Sequence, residues 1–248
     1  MSKVMLITGA SRGIGAATAR LAAAEGYALC LNFRQRQDAA DQLLNELRSH
    51  GVQAIAIEAD VADESQVSRL FESVDAEFGR IDVLVNNAGM LEPQMRLENM
   101  DKARLERVFA VNVFGSFLCA REAVKRMSTR HGGTGGAIIN ISSIAAKLGA
   151  PNEYIDYAAA KGAIDSMTLG LAKEVATEGI RVNAVRPGVI HTDIHASGGE
   201  PDRIERVKSS VPMGRGGEAN EVAEAIIWLA SGKASYTSGA LLDVSGGR

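Results

Sequence analysis

What this chain has little of narrows it first. Cysteine occurs twice in 248 residues, as Cys30 and Cys119. Each lies inside an apolar run, so a disulfide framework is excluded and both read as small buried hydrophobes in a reducing compartment. No stretch approaches the ~20 apolar residues of a membrane-crossing helix. Neither sign of charge dominates: 27 Lys and Arg against 30 Asp and Glu leave a formal net charge of -3, so there is no cationic surface for nucleic acid or anionic lipid to recognise. The apolar core of a signal peptide is also missing, since the chain passes directly into Val4 to Ile7 and then a turn. The expected location is cytoplasmic.

What is there is the material of one α/β domain spanning residues 1–248. The chain is 46% hydrophobic and 23% charged, ordinary for a globular protein with a sizeable core. Short apolar runs bounded by turn residues alternate with longer segments of helical period, the pattern of a doubly wound parallel sheet covered by helices on both faces. Seven strands are expected, near 3–8, 28–32, 53–57, 82–86, 137–141, 181–186 and 240–244. A helix is predicted over 64–78, where Val67, Leu70, Phe71, Val74 and Phe78 keep one face apolar behind an Asp63 cap answered by Gln66. Between Leu105 and Ala120 apolar side chains point nearly all round the expected helix. A helix of that kind needs cover on every side, so a second copy of the chain is the expected partner, in a dimer or tetramer. The run His131 to Gly136 reads as a flexible surface loop.

Three clusters carry chemistry. Thr8-Gly9-Ala10-Ser11-Arg12-Gly13-Ile14-Gly15 lies where the first strand gives way to a helix, so backbone N–H groups and the positive helix end are available to a pyrophosphate. About twenty residues on, where dinucleotide-binding proteins place an acid for the ribose hydroxyls, this chain has Phe33 and Arg34. Tyr157 and Lys161 are four apart, hence about 40° apart around a helix and on one face. A fourth cluster, His191-Thr-Asp-Ile-His195, lacks a further His or Cys nearby to complete a tetrahedral set, and no metal site is expected.

The glycine spacing, G-x-x-x-G-x-G, resembles that of the short-chain dehydrogenase/reductase family, and the likeness extends over essentially the whole chain. In the family's order follow Asp60-Val61, Asn86-Asn87-Ala88-Gly89, Asn112, Ser142-Ser143, Tyr157-Ala-Ala-Ala-Lys161, Pro187-Gly188 with Thr192, and Val244-Ser-Gly-Gly247. The resemblance implies a Rossmann fold and an oxidoreductase moving a hydride between a nicotinamide cofactor and a carbonyl or alcohol. It assigns Gly9, Ser11, Arg12, Gly13, Ile14 and Gly15 to the phosphates, Asp60 and Val61 to the adenine, and Asn86, Ala88 and Gly89 to the cofactor's flank. Pro187, Gly188, Ile190 and Thr192 would meet the carboxamide or phosphates, with the segment to about Ser210 as a mobile substrate lid. Phe33 and Arg34 in place of an acid, joined by Arg12, point to NADP(H). Tyr157 becomes the general acid or base, Lys161 the group that lowers its pKa and holds the ribose, Ser143 the donor to the substrate oxygen, with Ser142 its rival, and Asn112 a holder of a water relay.

The likeness is strongest to 3-oxoacyl-carrier-protein reductases and to sugar or polyol dehydrogenases, the latter through Pro151 to Asp156. Glu178 stands where some carrier-protein reductases present an arginine, and an acid facing an acidic carrier is unfavourable. A non-catalytic NADPH-binding sensor, the alternative from another class, usually lacks the tyrosine or lysine kept here.

Overall fold

The computed structural model describes residues 2–248; Met1, part of the one-domain expectation, lies outside them. Seven strands form one parallel sheet in the order β3-β2-β1-β4-β5-β6-β7: β1 (Val4–Ile7), β2 (Ala28–Phe33), β3 (Ala54–Glu58), β4 (Val83–Asn86), β5 (Gly136–Ile141), β6 (Ile180–Pro187) and β7 (Leu241–Val244). Each expected strand is present. The connecting helices are α1 (Gly13–Ala24), α2 (Gln37–Ser49), α3 (Glu64–Phe78), α4 (Lys102–Phe109), α5 (Gly115–Met127), α6 (Ala145–Leu148), α7 (Ile155–Glu174), α8 (Ile194–Ser197), α9 (Arg203–Val207) and α10 (Ala219–Ala230).

Why the strands are uniformly apolar follows from their two covered faces. Successive residues point to opposite sides, so Met5 and Ile7 join a core with Ala19 of α1, Leu43 of α2 and Ile226 of α10. Val4 and Leu6 face the other way, onto Leu70 and Phe71 of α3, Cys119 of α5 and Ile164 of α7. Each Leu, Ile or Phe fully buried here contributes about 1.5–3 kcal/mol. The order of the sheet reverses between β1 and β4, and a crevice opens there beyond the carboxyl ends of the strands, where such sheets bind ligands.

The α3 cap forms as expected: Asp63 accepts from the Ser65 and Gln66 amides at 2.8 and 3.1 Å. The helix expected through 105–120 departs from expectation. A π-turn over Ala110–Phe114 separates α4 from α5, with the Gly115 amide reaching back to the Ala110 carbonyl. The cause is local, because the Asn112 side chain donates to the Val108 carbonyl at 2.9 Å, the acceptor its own amide would use in an unbroken helix. The glycine run before β5 also differs from a slack loop. A Cβ on Gly135 would stand 2.5 Å from the Gly179 carbonyl oxygen, so glycine there permits two backbones to touch.

Buried charge fixes the start of α7. Arg104 donates to Asp156 at 2.7 Å, with both side chains almost wholly buried (4% and 1% exposed), and to the Pro93 carbonyl at 2.6 Å. Asp156 also accepts from the Tyr157 amide at 2.9 Å. Removing one partner strands a buried charge, and Asp156→Ala is expected to cost about 3 kcal/mol or more. Urea unfolding measures this, and a loss under about 1 kcal/mol would mean the pair is not the anchor of α7.

Candidate active site

The glycine turn is built to bring backbone close to whatever lies in the crevice. Gly13 has φ +55, a conformation glycine reaches without strain. A Cβ there would meet Thr192 at 3.2 Å, so the turn and the segment after β6 lie side by side. No side chain caps α1, which leaves its first-turn amides free for an anion. Thr8 ties the turn to β4: its hydroxyl accepts from the Asn87 and Ala88 amides, each at 3.0 Å, and donates to the Val85 carbonyl.

From this turn a cavity of about 550 Å³ runs along the carboxyl edge of the sheet. Its wall includes Gly9, Ser11, Arg12, Gly13, Ile14, Phe33, Arg34, Asp60, Val61, Ala88, Gly89, Ser143, Tyr157, Lys161, Pro187, Gly188, Ile190 and Thr192, all expected from the sequence. Three expected residues stand behind the wall instead. Gly15 packs the turn, since a Cβ would lie 2.6 Å from both Asn87 Nδ2 and the Gly9 carbonyl oxygen. Asn86 is buried and donates to Asn140 and to the Ser116 carbonyl. Asn112 is wholly buried and donates to the Met90 carbonyl while accepting from the Met90 amide.

Two further asparagines reach the cavity: Asn32, which the sequence reading did not single out, and Asn87, which stood in the Asn86 to Gly89 motif without an assigned role. Asn87 donates to the Thr8 and Gly9 carbonyls at 2.8 and 2.9 Å, and Asn32 accepts from the Gly9 amide at 3.3 Å. Strand alternation was the available signal: Asn87 lies one residue beyond Asn86 and turns the other way. At the far end Arg34 pairs with Asp60 at 3.2 Å and Arg12 with Asp193 at 3.7 Å. Arg36, unforeseen, lines the same end.

Ser143, Tyr157 and Lys161 meet at the other end. The two serines differ in their partners. Ser142 Oγ donates to the Lys161 carbonyl at 3.1 Å; Ser143 Oγ accepts from the Ala145 amide at 3.1 Å and stands beside the Tyr157 phenol. Lys161 Nζ donates to the Ile141 carbonyl at 2.7 Å and lies 5.5 Å from the centre of the Tyr157 ring. A Cβ built on Gly89 would be 3.0 Å from Asn112 Oδ1 and 3.6 Å from Lys161 Nζ. Glycine therefore leaves open the space where these two groups converge.

Burial pushes Tyr157 up to about 12, with the Ser143 hydroxyl and the Arg203 charge acting the other way. Burial also brings Lys161 down to about 8, opposed by the charge of Asp165. Both charged forms lose hydration, and the ammonium is directed to a carbonyl rather than to the phenol. At neutral pH the pair is a neutral phenol beside a cation, which suits proton donation.

The segment after β6 holds α8 and α9, and Arg203 and Arg206 bond Glu153 at 2.6 and 2.7 Å. His191 and His195 do not share a helical face: α8 begins only at Ile194, His191 is half-exposed near Glu218, and His195 is buried against the Ile190 carbonyl at 3.0 Å. Glu178 is not turned outward as expected. It is buried, accepting from Ser128 at 2.6 Å and Arg130 at 3.0 Å, so the surface there is the exposed guanidinium of Arg130. Burial raises both cysteine thiols to about 12. Among the described residues no helix is long and apolar enough to cross a membrane.

Known proteins match this chain throughout. A family model described as enoyl-(acyl carrier protein) reductase matches residues 9–248. An uncharacterized oxidoreductase of Escherichia coli K12, YgfF, is 54% identical over 99% of both chains. Cis-4-hydroxycyclohexanecarboxylate dehydrogenase of Sinomonas cyclohexanicum is 41% identical over 99% of this chain and 96% of its own. The 3-ketoacyl-(acyl-carrier-protein) reductase of Brucella melitensis, solved with NADH, superposes with a TM-score of 0.92 at 33% identity, covering 99% of this chain and 98% of its own. Motif order, the parallel sheet and these full-length likenesses agree: the chain belongs to the short-chain dehydrogenase/reductase family.

Proposed function

We propose that this chain, working as one domain, is an NADP(H)-dependent reductase of a carbonyl, or dehydrogenase of the corresponding alcohol. The observation that carries this is one continuous cavity, with Ser143, Tyr157 and Lys161 at one end and Arg12 and Arg34 beside the uncapped start of α1 at the other. A nicotinamide cofactor, when bound, supplies or accepts the hydride. The α1 amides hold its pyrophosphate, and Arg12 and Arg34 hold a 2′-phosphate. Tyr157 Oη gives its proton to the carbonyl oxygen or takes it from the alcohol, and Ser143 Oγ donates a hydrogen bond to that oxygen as charge develops. Lys161 holds the ribose and counters the charge left on the phenolate. Asn112 keeps the loop at Met90 in place behind Gly89. A panel of ketones, aldehydes, sugars and 3-oxoacyl thioesters, followed at the reduced-nicotinamide absorbance, tests the reading. Turnover is expected with at least one class; a silent panel with tight NADPH binding would favour a sensor.

The two titrations set a pH profile. Lys161 is charged below about 8 and neutral above, while Tyr157 keeps its proton to about 12. In carbonyl reduction kcat/KM for NADPH, which reports the free enzyme, should be level below about pH 8 and fall above it. A profile level to about pH 10 would contradict the role given to the lysine charge.

A second reading, a 3-oxoacyl-carrier-protein reductase, draws on the Brucella protein and on exposed Arg130. A carrier-borne substrate turned over much faster than the same acyl group on pantetheine would favour it. Phe114 and Phe117, 57% and 49% exposed, support the homo-oligomer. Changing both to glutamate should release monomers in light scattering, and a monomeric parent at micromolar concentration would refute the association. Two unpaired buried cysteines support a cytoplasmic setting.

A further inference from the structure

Five arginines stand on the cavity wall, and all but one are held by an acid. Arg12 lies 3.7 Å from Asp193, Arg34 3.2 Å from Asp60, Arg36 3.1 Å from Asp38 and Arg203 2.6 Å from Glu153. The carboxylates of the wall itself, Asp60, Glu153 and Asp193, are all engaged in those pairs. Asp243 of β7 is held by Lys147 and Arg186. Arg248, also on the wall, is left without an acidic partner among the described residues.

The hydrogen bonds of Arg248 are all made by its main chain. Its amide reaches the Ser245 carbonyl at 3.4 Å, and its carbonyl oxygen accepts from Ser245 Oγ at 3.1 Å. The guanidinium donates to no protein group among the described residues. Although the residue is partly buried, none of its nitrogens is among the buried atoms that lack a partner, so they stay open to whatever enters. A partly desolvated cation without a counter-charge favours an anion.

The register of the sheet fixes where this cation stands. Ile141 of β5 lies beside Val185 of β6, and Pro187 of β6 beside Val244 of β7. The Ile144 amide continues that alignment by reaching the Pro187 carbonyl at 3.0 Å. Ser143 is therefore level with Val244, two strands and about 10 Å away. Ser245 packs on Gly188, where a Cβ would stand 2.8 Å from the Ser245 Cα, and the turn from Ser245 to Arg248 folds back at this level. Arg248 thus flanks the end that holds Ser143, across the sheet from Arg34 at the end of β2. An arginine side chain covers part of the span, which leaves several bonds between a carbonyl at Tyr157 and an anion at Arg248.

We propose that Arg248 recognises a carboxylate on the substrate, several bonds removed from the reacting carbonyl. The substrate class is then an oxo acid, or the corresponding hydroxy acid. A 2-oxo acid is too short to make both contacts, and the phosphate of a carrier's pantetheine arm lies too far from its 3-oxo group. This rests on the reading of Ser143 and Tyr157 as the site of the carbonyl, and the test separates the two. Calorimetry on the protein saturated with oxidised coenzyme, which cannot reduce a ketone, reads binding without turnover. Of 4-oxopentanoate, 5-oxohexanoate and 4-oxocyclohexanecarboxylate, at least one should bind about tenfold more tightly than its own methyl ester, the gain of one charge-assisted contact. Arg248→Gln, which removes no contact within the protein, should erase most of that margin by weakening the acid and not the ester. Arg248→Lys, which keeps the charge, should retain part of it.

No margin for any pair, a margin unchanged in Arg248→Gln, or a larger margin for pyruvate over methyl pyruvate would overturn the proposal. Should the margin and its loss hold while the parent protein turns over no carbonyl compound, the carboxylate site stands and the catalytic reading falls. Turnover without the margin would do the reverse.

Discussion

Tyr157→Phe is expected to lower kcat by on the order of a thousandfold while NADPH binds within about threefold of the parent protein. A positioned acid or base contributes about 10²–10⁴ in rate, and no other group on the cavity wall offers a proton in the same place. Lys161 donates to the Ile141 carbonyl and Ser142 to the Lys161 carbonyl. Ser143 is an alcohol, far too weak an acid to replace the phenol. The substitution removes one oxygen, and the backbone of Tyr157 stays anchored through Asp156 and Arg104, so folding should be unaffected. Stopped assays at the reduced-nicotinamide band give kcat, and fluorescence titration gives the NADPH affinity. Retention of more than a few per cent of kcat would remove Tyr157 from the chemistry.

The second large effect concerns the coenzyme. Each charge-assisted hydrogen bond from an arginine to a 2′-phosphate is worth about 1.5–3 kcal/mol. Against this stand the pairs that the arginines would give up, Arg34 with Asp60 and Arg12 with Asp193. Both arginines are about half-exposed there, and exposed pairs are worth about 0–1 kcal/mol. The phosphate bonds win by that comparison. The parent protein should prefer NADPH to NADH by about tenfold to a hundredfold in kcat/KM, and Arg12→Ala with Arg34→Ala should bring the two coenzymes close to parity. Comparable kcat/KM values in the parent would refute the roles of both arginines and align this chain with the NADH found in the Brucella reductase.

Elements whose signal is local were legible from the sequence. The strands announced themselves because burial on both faces makes a run of apolar residues such as Ala28 to Phe33, and α3 because Asp63 sits directly before its apolar stripe. The residues at strand ends and in the glycine turn came from the family resemblance, and most of them line the cavity. What was hidden depends on long-range partners. The π-turn at Asn112 exists because that side chain competes for the Val108 carbonyl and reaches Met90. The inward turn of Glu178 depends on Ser128, fifty residues earlier. The rise of the Tyr157 pKa comes from burial, which a spacing of four residues does not report.

A crystal structure with NADP+ bound is the most direct measurement of all. Tyr157 Oη and Lys161 Nζ should face the nicotinamide riboside, with Ser143 Oγ beside the phenol and Arg12 or Arg34 on the 2′-phosphate. A bound coenzyme whose nicotinamide end lies away from that hydroxyl and that amine would contradict the assignment of the proton-transfer group.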